Sequence, residues 1–438
     1  MPSTHLTRTI SSTGNRQKWT LSLWIKFDRV KTGSLNIFSS NKAADGDYST
    51  LYLDASRLTY YDYDGGTVNR LRTSRLFRDL NAWYHIVVRY DSTHGTANNR
   101  IRFYVNGSEA TDIIDRLNPS QNYNSFVNAN TYKVFFGAQD GDNDGTGDRF
   151  GGSMSHIHFC DGYDYDASAF GSTDSTTGEW KINTSPSVTY GTNGFFILKD
   201  GNSVTDASTN SNNFTVGGGT LTKTEDCPSN VFCTWNPLYR SARKDMTLTN
   251  GNTFIFEQNS GDSGVSGTIG VSSGKYYWEQ IVAQVNGTNA AITGGLHTTE
   301  DWNESPTDAM AANTVGMRSN GNVWKGTTDL GNFTTATYNG DIIGVGFDAD
   351  NGSMYFWRNG TALNSGNAII TGMDMTKTWI PFGVQHGGAR VTTSTNFGNG
   401  YFQTTAVSSA GTNASGIGIF EYDVPTGYTA LSTKGLNL

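Results

Sequence analysis

The sequence predicts an all-β protein built from two antiparallel β-sandwiches in tandem. Its 438 residues are enough for two or three domains, each with its own core. Aromatic residues make up 12% of the chain, and there are 52 glycines but only 8 prolines. Aromatic rings fill the interior of a sandwich, while glycine and asparagine supply the positive φ angles of hairpin turns. Many short segments alternate hydrophobic and polar residues, and none shows a strong helical period.

The first half of the chain alternates most clearly from Trp19 to Phe27, where every second residue is aromatic or aliphatic. This period of two indicates a strand with one face turned to a core. Asn106-Gly107 is a pair suited to a tight type I′ hairpin turn. One helical turn is expected at Asp166–Phe170. Further strands are predicted at Tyr84–Tyr90, Ile101–Val105, Lys133–Gly137 and Met154–Cys160.

Alternation disappears between the two halves and again near the C-terminus. We predict domains at 1–200 and 245–403, a linker at 201–244 and an extended C-terminal tail at 404–438. Polar residues, glycine and proline mark the linker. It also contains Phe214 and Trp235, whose exposure to water would be costly, so we expect it to dock along one or both sandwiches.

Motifs in the first half resemble laminin-G-like domains, which have the concanavalin-type jelly roll. They are the aromatic-rich strand Trp19–Phe27, the strand Ala82–Val88, the hairpin Arg102–Gly107 and the segment Phe150–Met154. The resemblance covers about residues 4 to 200 and implies a binding module. The first strand of the family is short or missing ahead of Leu6, so the linker or another subunit is expected to complete that edge.

The second half is similar to the SPRY domain, which shares the two-sheet concanavalin-like architecture. Four segments carry this resemblance in order and spacing: Ser273–Glu279, Gly340–Asp348, Asn351–Gly360 and Pro381–Gly398. They lie within about residues 245 to 403. The two resemblances together imply two concanavalin-like sandwiches, with a docked linker and an extended tail.

The order of the modules resembles virion structural proteins of marine bacteriophages. A laminin-G-like half is followed by Phe232–Pro237, a SPRY-like half and the terminal segment Tyr422–Tyr428. The resemblance implies a tail-fibre or capsid-decorating protein on the virion surface, assembled in the host cytoplasm. Its expected partners are other virion proteins and a host cell-surface glycan or protein. By analogy with fibres and spikes, we expect a homo-oligomer such as a trimer.

Charge and composition argue against other classes of function. The net charge is −8, whereas a nucleic-acid partner requires a basic face. No apolar run approaches the ~18 residues that a membrane-spanning helix needs, and residues 1–10 lack the apolar core of a signal peptide. Cys160, Cys227 and Cys233 are too few for a disulfide scaffold, which favours folding in a reducing cytosol. Cys227 and Cys233 are close enough in sequence to pair, but free thiols are favoured.

An acidic loop is the strongest chemical signal in the chain. Asp140, Asp142, Asp144 and Asp148 occupy the first, third, fifth and ninth positions of a loop with glycine at the sixth. Alternating aspartates let one loop surround Ca²⁺ with oxygen ligands. Position twelve is Gly151 rather than glutamate, so a solvated hairpin loop remains the alternative interpretation.

Exposed aromatic rings are candidates for glycan binding, because sugar faces stack on rings while polar neighbours hold the hydroxyl groups. Tyr60, Tyr61 and Tyr63 are expected to form one cluster near a turn at Gly65-Gly66. Trp302 and Trp324 are separate candidates. Packing in a core is the alternative for each ring. Met154, His156, His158 and Cys160 are every second residue of one predicted strand and are expected on one face, but ordinary sheet residues are favoured over a metal site.

We expect no enzyme activity. Glycosidases of this fold need paired carboxylates on one strand, and no E-x-D-x-x-E pattern occurs. Neither a G-x-S-x-G elbow nor a P-loop is present. The predicted function is a phage surface protein that attaches to the host. The alternatives are a purely structural capsid or tail component without a ligand, and a carbohydrate-binding bacterial surface protein.

Overall fold

The chain divides into two compact units, Met1–Lys223 and Thr224–Leu438. The predicted linker is divided between them. The computed structural model describes residues 4–29, 32–42, 46–139, 148–199, 203–240, 246–257, 263–284, 291–299, 313–334, 340–385 and 391–438. Its described regular structure consists of antiparallel sheets, one short parallel pairing and a few single turns of 3₁₀ helix, which confirms the predicted all-β class.

Sixteen described strands form the first unit. They are β1 (His5–Thr9), β2 (Lys18–Phe27), β3 (Ser34–Asn41), β4 (Tyr48–Asp54), β5 (Arg57–Tyr63), β6 (Val68–Thr73), β7 (Tyr84–Asp91), β8 (Ile101–Val105), β9 (Ser108–Glu109), β10 (Ile113–Leu117), β11 (Lys133–Phe136), β12 (Gly152–Asp161), β13 (Gly171–Thr173), β14 (Trp180–Ile182), β15 (Phe195–Ile197) and β16 (Thr215–Gly218).

Two large sheets make the sandwich of the first unit. The eight-stranded sheet has the order β10-β6-β5-β4-β3-β11-β1-β16, and the six-stranded sheet has the order β15-β12-β2-β7-β8-β9. Alternate residues of β2, from Trp19 to Phe27, are buried in the core between the sheets, as their period of two predicts. Asn106 and Gly107 both have positive φ angles, which confirms the predicted hairpin turn between β8 and β9.

The predicted helical turn is present as a 3₁₀ helix at Ala167–Ala169. The Asp166 side chain caps it by accepting a hydrogen bond from the backbone N–H of Ser168 at 2.9 Å. Other described 3₁₀ turns lie at Ala97–Asn99, Asn364–Gly366 and Gly435–Asn437.

The predicted linker completes the edge of the eight-stranded sheet. Its strand β16 pairs antiparallel with β1, so that Thr7 lies opposite Thr215. Phe214, which immediately precedes β16, is buried in the core of the first unit. The linker thus supplies the edge strand, the first of the two possibilities that the short N-terminal strand left open.

The outer face of the six-stranded sheet is covered by the segment that follows β12. Phe170, Trp180 and Tyr190 from this segment pack on Val87 and Cys160 of the sheet. The sheet is therefore buried on both faces, which explains why nearly all of β2 is buried.

The described strands of the second unit are β17 (Trp235–Arg240), β18 (Met246–Thr249), β19 (Phe254–Glu257), β20 (Ser263–Gly267), β21 (Lys275–Gln284), β22 (Ala291–Thr298), β23 (Thr314–Arg318), β24 (Asn322–Lys325), β25 (Thr328–Asn332), β26 (Ile342–Asp348), β27 (Ser353–Arg358), β28 (Thr361–Ala362), β29 (Trp379–Gln385), β30 (Val391–Asn396), β31 (Tyr401–Phe402), β32 (Thr405–Ala406) and β33 (Thr429–Ala430).

The second unit is also a two-sheet sandwich. One sheet has the order β17-β20-β29-β22-β23-β24-β25 and the other the order β18-β19-β30-β21-β26-β27-β28. Trp235 and Trp278 are buried in the core between them. Asn359 and Gly360, both with positive φ angles, form the turn between β27 and β28.

The C-terminal tail lies on the outer face of the second of these sheets. Phe420, Val424 and Tyr428 from the tail are buried together with Tyr277 of β21. Strand β33 of the tail pairs parallel with β21. The apolar residues of the tail therefore anchor it to this sheet.

Candidate functional site

The outer face of the eight-stranded sheet carries a group of partly exposed tyrosines. Directly opposite residues of antiparallel strands project on the same side of a sheet. Tyr48 of β4 lies opposite Tyr63 of β5, and Thr50 lies opposite Tyr61. Tyr52 projects on this side as well, four residues after Tyr48. We call Tyr48, Tyr52, Tyr61 and Tyr63 the tyrosine face.

Three of the rings lie close together. The centroids of Tyr48 and Tyr63 are 5.7 Å apart, those of Tyr48 and Tyr61 are 5.9 Å apart, and those of Tyr61 and Tyr63 are 6.4 Å apart. All four tyrosines are half-buried. Partial burial raises the pKa of Tyr48, and it raises the pKa of Tyr52 to about 12 with a smaller contribution from Asp54. The hydroxyl groups of Tyr48 and Tyr52 are therefore uncharged near neutral pH and can both donate and accept hydrogen bonds.

Two arginine–aspartate pairs border the tyrosine face. Arg70 of β6 lies opposite Tyr61, and its guanidinium is 2.7 Å from the carboxylate of Asp115 on β10. Arg72 is 2.8 Å from the carboxylate of Asp54 on β4. Both pairs are about one-third exposed, although the Nε atom of each arginine is buried. The arrangement combines ring faces with polar groups that can reach hydroxyls.

The ends of the acidic loop are anchored on the neighbouring part of the same sheet. The Asn36 side chain donates a hydrogen bond to the backbone carbonyl of Asp148 at 3.1 Å. The Asn41 side chain donates to the backbone carbonyl of Gln139, and the Gln139 side chain is hydrogen-bonded to Tyr48. Asp140, Asp142 and Asp144 lie outside the described residues. In the part of the chain that the structure describes, no three histidine, cysteine or carboxylate side chains form a metal-binding group.

The prediction of one cluster from Tyr60, Tyr61 and Tyr63 is wrong for Tyr60. Successive residues of a strand point to opposite faces, and Tyr60 is buried in the core beside Trp19. Tyr61 and Tyr63 are two residues apart and share the outer face. Tyr48 and Tyr52 were missed, because they come from another strand and only the register joins them to the group.

Asp62 points inward between Tyr61 and Tyr63. It is fully buried, and burial raises the pKa of its carboxyl to about 7, although hydrogen bonds from Ser49, Tyr60 and Asn69 act in the opposite direction. Such a carboxyl is only partly ionised at neutral pH. It supports the strand beneath the tyrosine face and is closed to ligands.

Of the two tryptophan candidates, Trp324 does not belong to the tyrosine face. Trp302 lies outside the described residues. Trp324 belongs to the second unit, where it is half-buried against Ile292 and Phe382. The Arg318 guanidinium lies 4.5 Å from the centroid of the Trp324 ring. One face of this indole is therefore occupied by a cation rather than free for a sugar.

The expected common face of Met154, His156, His158 and Cys160 is broken by a β-bulge. The register of β12 shifts between Ser155 and His158, and His156 has a positive φ angle. Met154 consequently packs against the main core, whereas His158 and Cys160 project from the other face. Burial lowers the pKa of His158 well below its usual value and raises that of Cys160 to about 12. Both are neutral sheet residues.

All three cysteines are free thiols. Cys160 and Cys233 are buried, and Cys227 is half-buried with its sulfur 3.2 Å from the Ser229 hydroxyl.

A family model describes the greater part of the first unit. Residues 3–163 match the laminin G model of the concanavalin A-like lectin/glucanase superfamily. The fold is concanavalin-like. The match includes β4, β5, β6 and β10, so the tyrosine face lies within it. No curated protein sequence matches the chain.

Solved structures similar to the chain include SPRY and laminin G domains. The SPRY domain of human HERC1 is 15% identical, with 37% of this chain and 96% of that chain covered and a TM-score of 0.32. Domains LG4-5 of the mouse laminin α1 chain are 10% identical, with 89% and 84% covered and a TM-score of 0.29. A pentraxin from Limulus polyphemus is 15% identical, with 36% and 69% covered and a TM-score of 0.27.

Among the described residues, no helix has the length and apolar character needed to cross a bilayer.

Proposed function

We propose that this chain is a non-enzymatic carbohydrate-binding protein and that the tyrosine face is its binding site. The observation that carries the proposal is the set of three tyrosine rings with centroids within 6.4 Å of one another on the outer face of a sheet. Large apolar rings normally fill cores, and a cluster left partly exposed on a sheet is typical of an interaction surface.

The chemistry of a sugar suits this surface. The C–H groups of a pyranose pack on aromatic rings, while its hydroxyls need donors and acceptors nearby. Tyr61 offers a ring, and the neighbouring pair of Arg70 and Asp115 offers both kinds of polar group. The lectin-type family of the first unit agrees with this assignment.

We further propose that the protein acts on the surface of a bacteriophage virion, as a tail fibre or capsid decoration that attaches to the host. The support is the resemblance of the module order to marine phage virion proteins. Immunogold labelling of intact particles tests this placement, and labelling of bacterial secretions that lack particles would contradict it.

We also propose that the protein forms a homo-oligomer, with a trimer expected by analogy. Light scattering of the purified protein tests this oligomeric state.

Affinity electrophoresis through gels containing soluble polysaccharides tests the binding function. The chain is expected to be retarded by at least one polysaccharide. Tyr61→Ala and Tyr63→Ala should each weaken retention about tenfold, because an aromatic contact contributes about 0.5–1.5 kcal/mol beyond its buried area.

Tyr163→Ala is the matched control. Tyr163 is an exposed tyrosine of the same unit that stacks on Tyr165 rather than on the tyrosine face. Its loss should leave retention unchanged. Equal weakening by the control and by Tyr61→Ala would show that the face is not the site.

A further inference from the structure

We infer that the ligand of the tyrosine face is an uncharged, extended oligosaccharide. This inference rests on the proposed carbohydrate-binding function and names the class of sugar. It follows from the shape of the aromatic row and from the way in which both bordering arginines are already neutralised.

The shape favours a chain rather than a single sugar. Tyr48 and Tyr52 are separated by four residues of β4, a distance of about 13 Å at the rise of an antiparallel strand. Tyr61 of β5 lies opposite Thr50, midway between them. The rings therefore follow the direction of β4 and β5, and a ligand that contacts all of them must extend along the strands.

The charges favour a neutral chain. An anionic sugar needs a free cation, but Arg70 and Arg72 already contact the carboxylates of Asp115 and Asp54. An anionic ligand that displaced an aspartate from its arginine would leave that carboxylate unpaired at the edge of the site. The unpaired carboxylate would then repel the ligand. Each pair instead presents guanidinium N–H donors and carboxylate acceptors to hydroxyl groups without net charge.

The acidic sequence beside this face and the net charge of the chain also oppose an acidic ligand, although the exposed Lys133 of β11 lies opposite Asn41 on the same face. The hydrogen bonds of Asn36 and Asn41 fix the two ends of the acidic loop on this outer face. The sequence between these ends carries three aspartates. The net charge of the whole chain, −8, has the same sign. An approaching polyanion would be repelled at the low salt concentrations where charges act over the longest range.

Matched polysaccharides test the inference by affinity electrophoresis of the full chain. A β-1,4-linked mannan is compared with polymannuronate, and methyl-esterified polygalacturonate with polygalacturonate, so that each pair shares its linkage and differs in its charged carboxylates. The wild-type chain is expected to be retained by a neutral polymer, to the same extent at low and high salt, and not by its acidic counterpart.

Removing the neutralising carboxylates should change this preference. The double variant Asp54→Asn and Asp115→Asn leaves both arginines charged and unpaired, and it should acquire at least about fivefold stronger retention by a polyuronate, lost at high salt. The control is Asp174→Asn, which frees Lys181 of β14 from a comparable surface pair with the residue that follows β13. That control should gain nothing.

The possible results distinguish a failure of this inference from a failure of the proposed carbohydrate-binding function. Stronger retention of the wild type by acidic than by neutral polymers, weakened by salt, would overturn the neutral class and leave carbohydrate binding standing. A double variant that gains no acidic binding would overturn the role of the two aspartates. A wild-type chain retained by no polymer of either kind would overturn the proposed function itself.

Discussion

The role of a residue in this chain depends on which face of its strand it occupies. Tyr60 and Tyr61 are adjacent in sequence, yet one fills the core and the other forms part of the tyrosine face. The sequence predicts the alternation but not its phase, because three tyrosines and two aspartates within five residues are compatible with either face turned inward. Only the packing of Leu58 and Tyr60 against the core decides between them.

Asp62 allows this packing to be tested through pH. Burial raises the pKa of its carboxyl to about 7 from an ordinary value of 3.8. The folded state therefore holds the proton more tightly than the unfolded chain does. The resulting stabilisation is complete below about pH 4 and is lost as the pH rises through about 7.

Asp62→Asn should remove this dependence. The free energy of unfolding of the wild type relative to the variant should fall by up to about 4 kcal/mol between pH 4 and pH 8. Denaturant unfolding at several pH values measures the difference. The control is Asp47→Asn, a partly exposed carboxyl of the same unit, which should change little. A wild-type advantage that grows with pH would contradict the burial of this carboxyl.

At the scale of elements, the C-terminal tail is held to β21 by one buried carboxyl. Glu279 accepts hydrogen bonds at 2.9 Å from the backbone N–H groups of both Glu421 and Tyr422. The Asn396 side chain and the Tyr277 hydroxyl also donate to it, each at 3.3 Å. The apolar anchors of the tail are readable in its sequence. This polar contact is not, because its partners are some 140 residues apart.

Glu279→Ala should loosen the tail without unfolding the sandwich. Burial raises the pKa of Glu279 to about 7, so the carboxyl is charged at about pH 8. Hydrogen bonds to a charged group contribute about 1.5–3 kcal/mol each, so amide exchange at Glu421 and Tyr422 should accelerate at least about tenfold at that pH. Hydrogen–deuterium exchange measured by mass spectrometry would detect this change. Glu225→Ala, at an exposed glutamate of the same unit, is the control. Unchanged protection of the two amides in Glu279→Ala would contradict the contact.

The acidic loop remains a predicted calcium site. Ca²⁺ at millimolar concentration should raise the melting temperature of the chain, because a ligand that binds only the folded state stabilises it. Asp144→Asn should abolish the shift, while Asp174→Asn at a surface pair elsewhere in the unit should preserve it. Equal melting temperatures with Ca²⁺ and with a chelator would leave the loop a hairpin that uses aspartate and glycine for its turns.

For the molecule as a whole, the sequence predicts the fold well and the site in part. The alternating residues of β2 and the asparagine–glycine turns follow local rules, so both could be read from the chain. The tyrosine face depends on the register between β4 and β5, which joins Tyr48 to Tyr63 across fifteen positions of sequence. No local pattern contains that information. The β-bulge at His156, which changes the phase of β12, was missed for the same reason.

The two sheets of the first unit differ in how their outer faces are covered, and this difference is the physical basis of the binding proposal. One sheet has its outer face covered by a chain segment with its own aromatic residues, including Phe170 and Trp180. The other sheet keeps four half-buried tyrosines on its outer face. A ligand that buries these rings would gain hydrophobic free energy at about 25 cal/mol per Å² of apolar surface.

A crystal structure of the chain with a retained oligosaccharide tests the central claim most directly. We predict sugar rings stacked on Tyr61 and Tyr63, with hydroxyl groups within hydrogen-bonding distance of Arg70 or Asp115. A sugar found in the second unit, with the tyrosine face empty, would contradict the account.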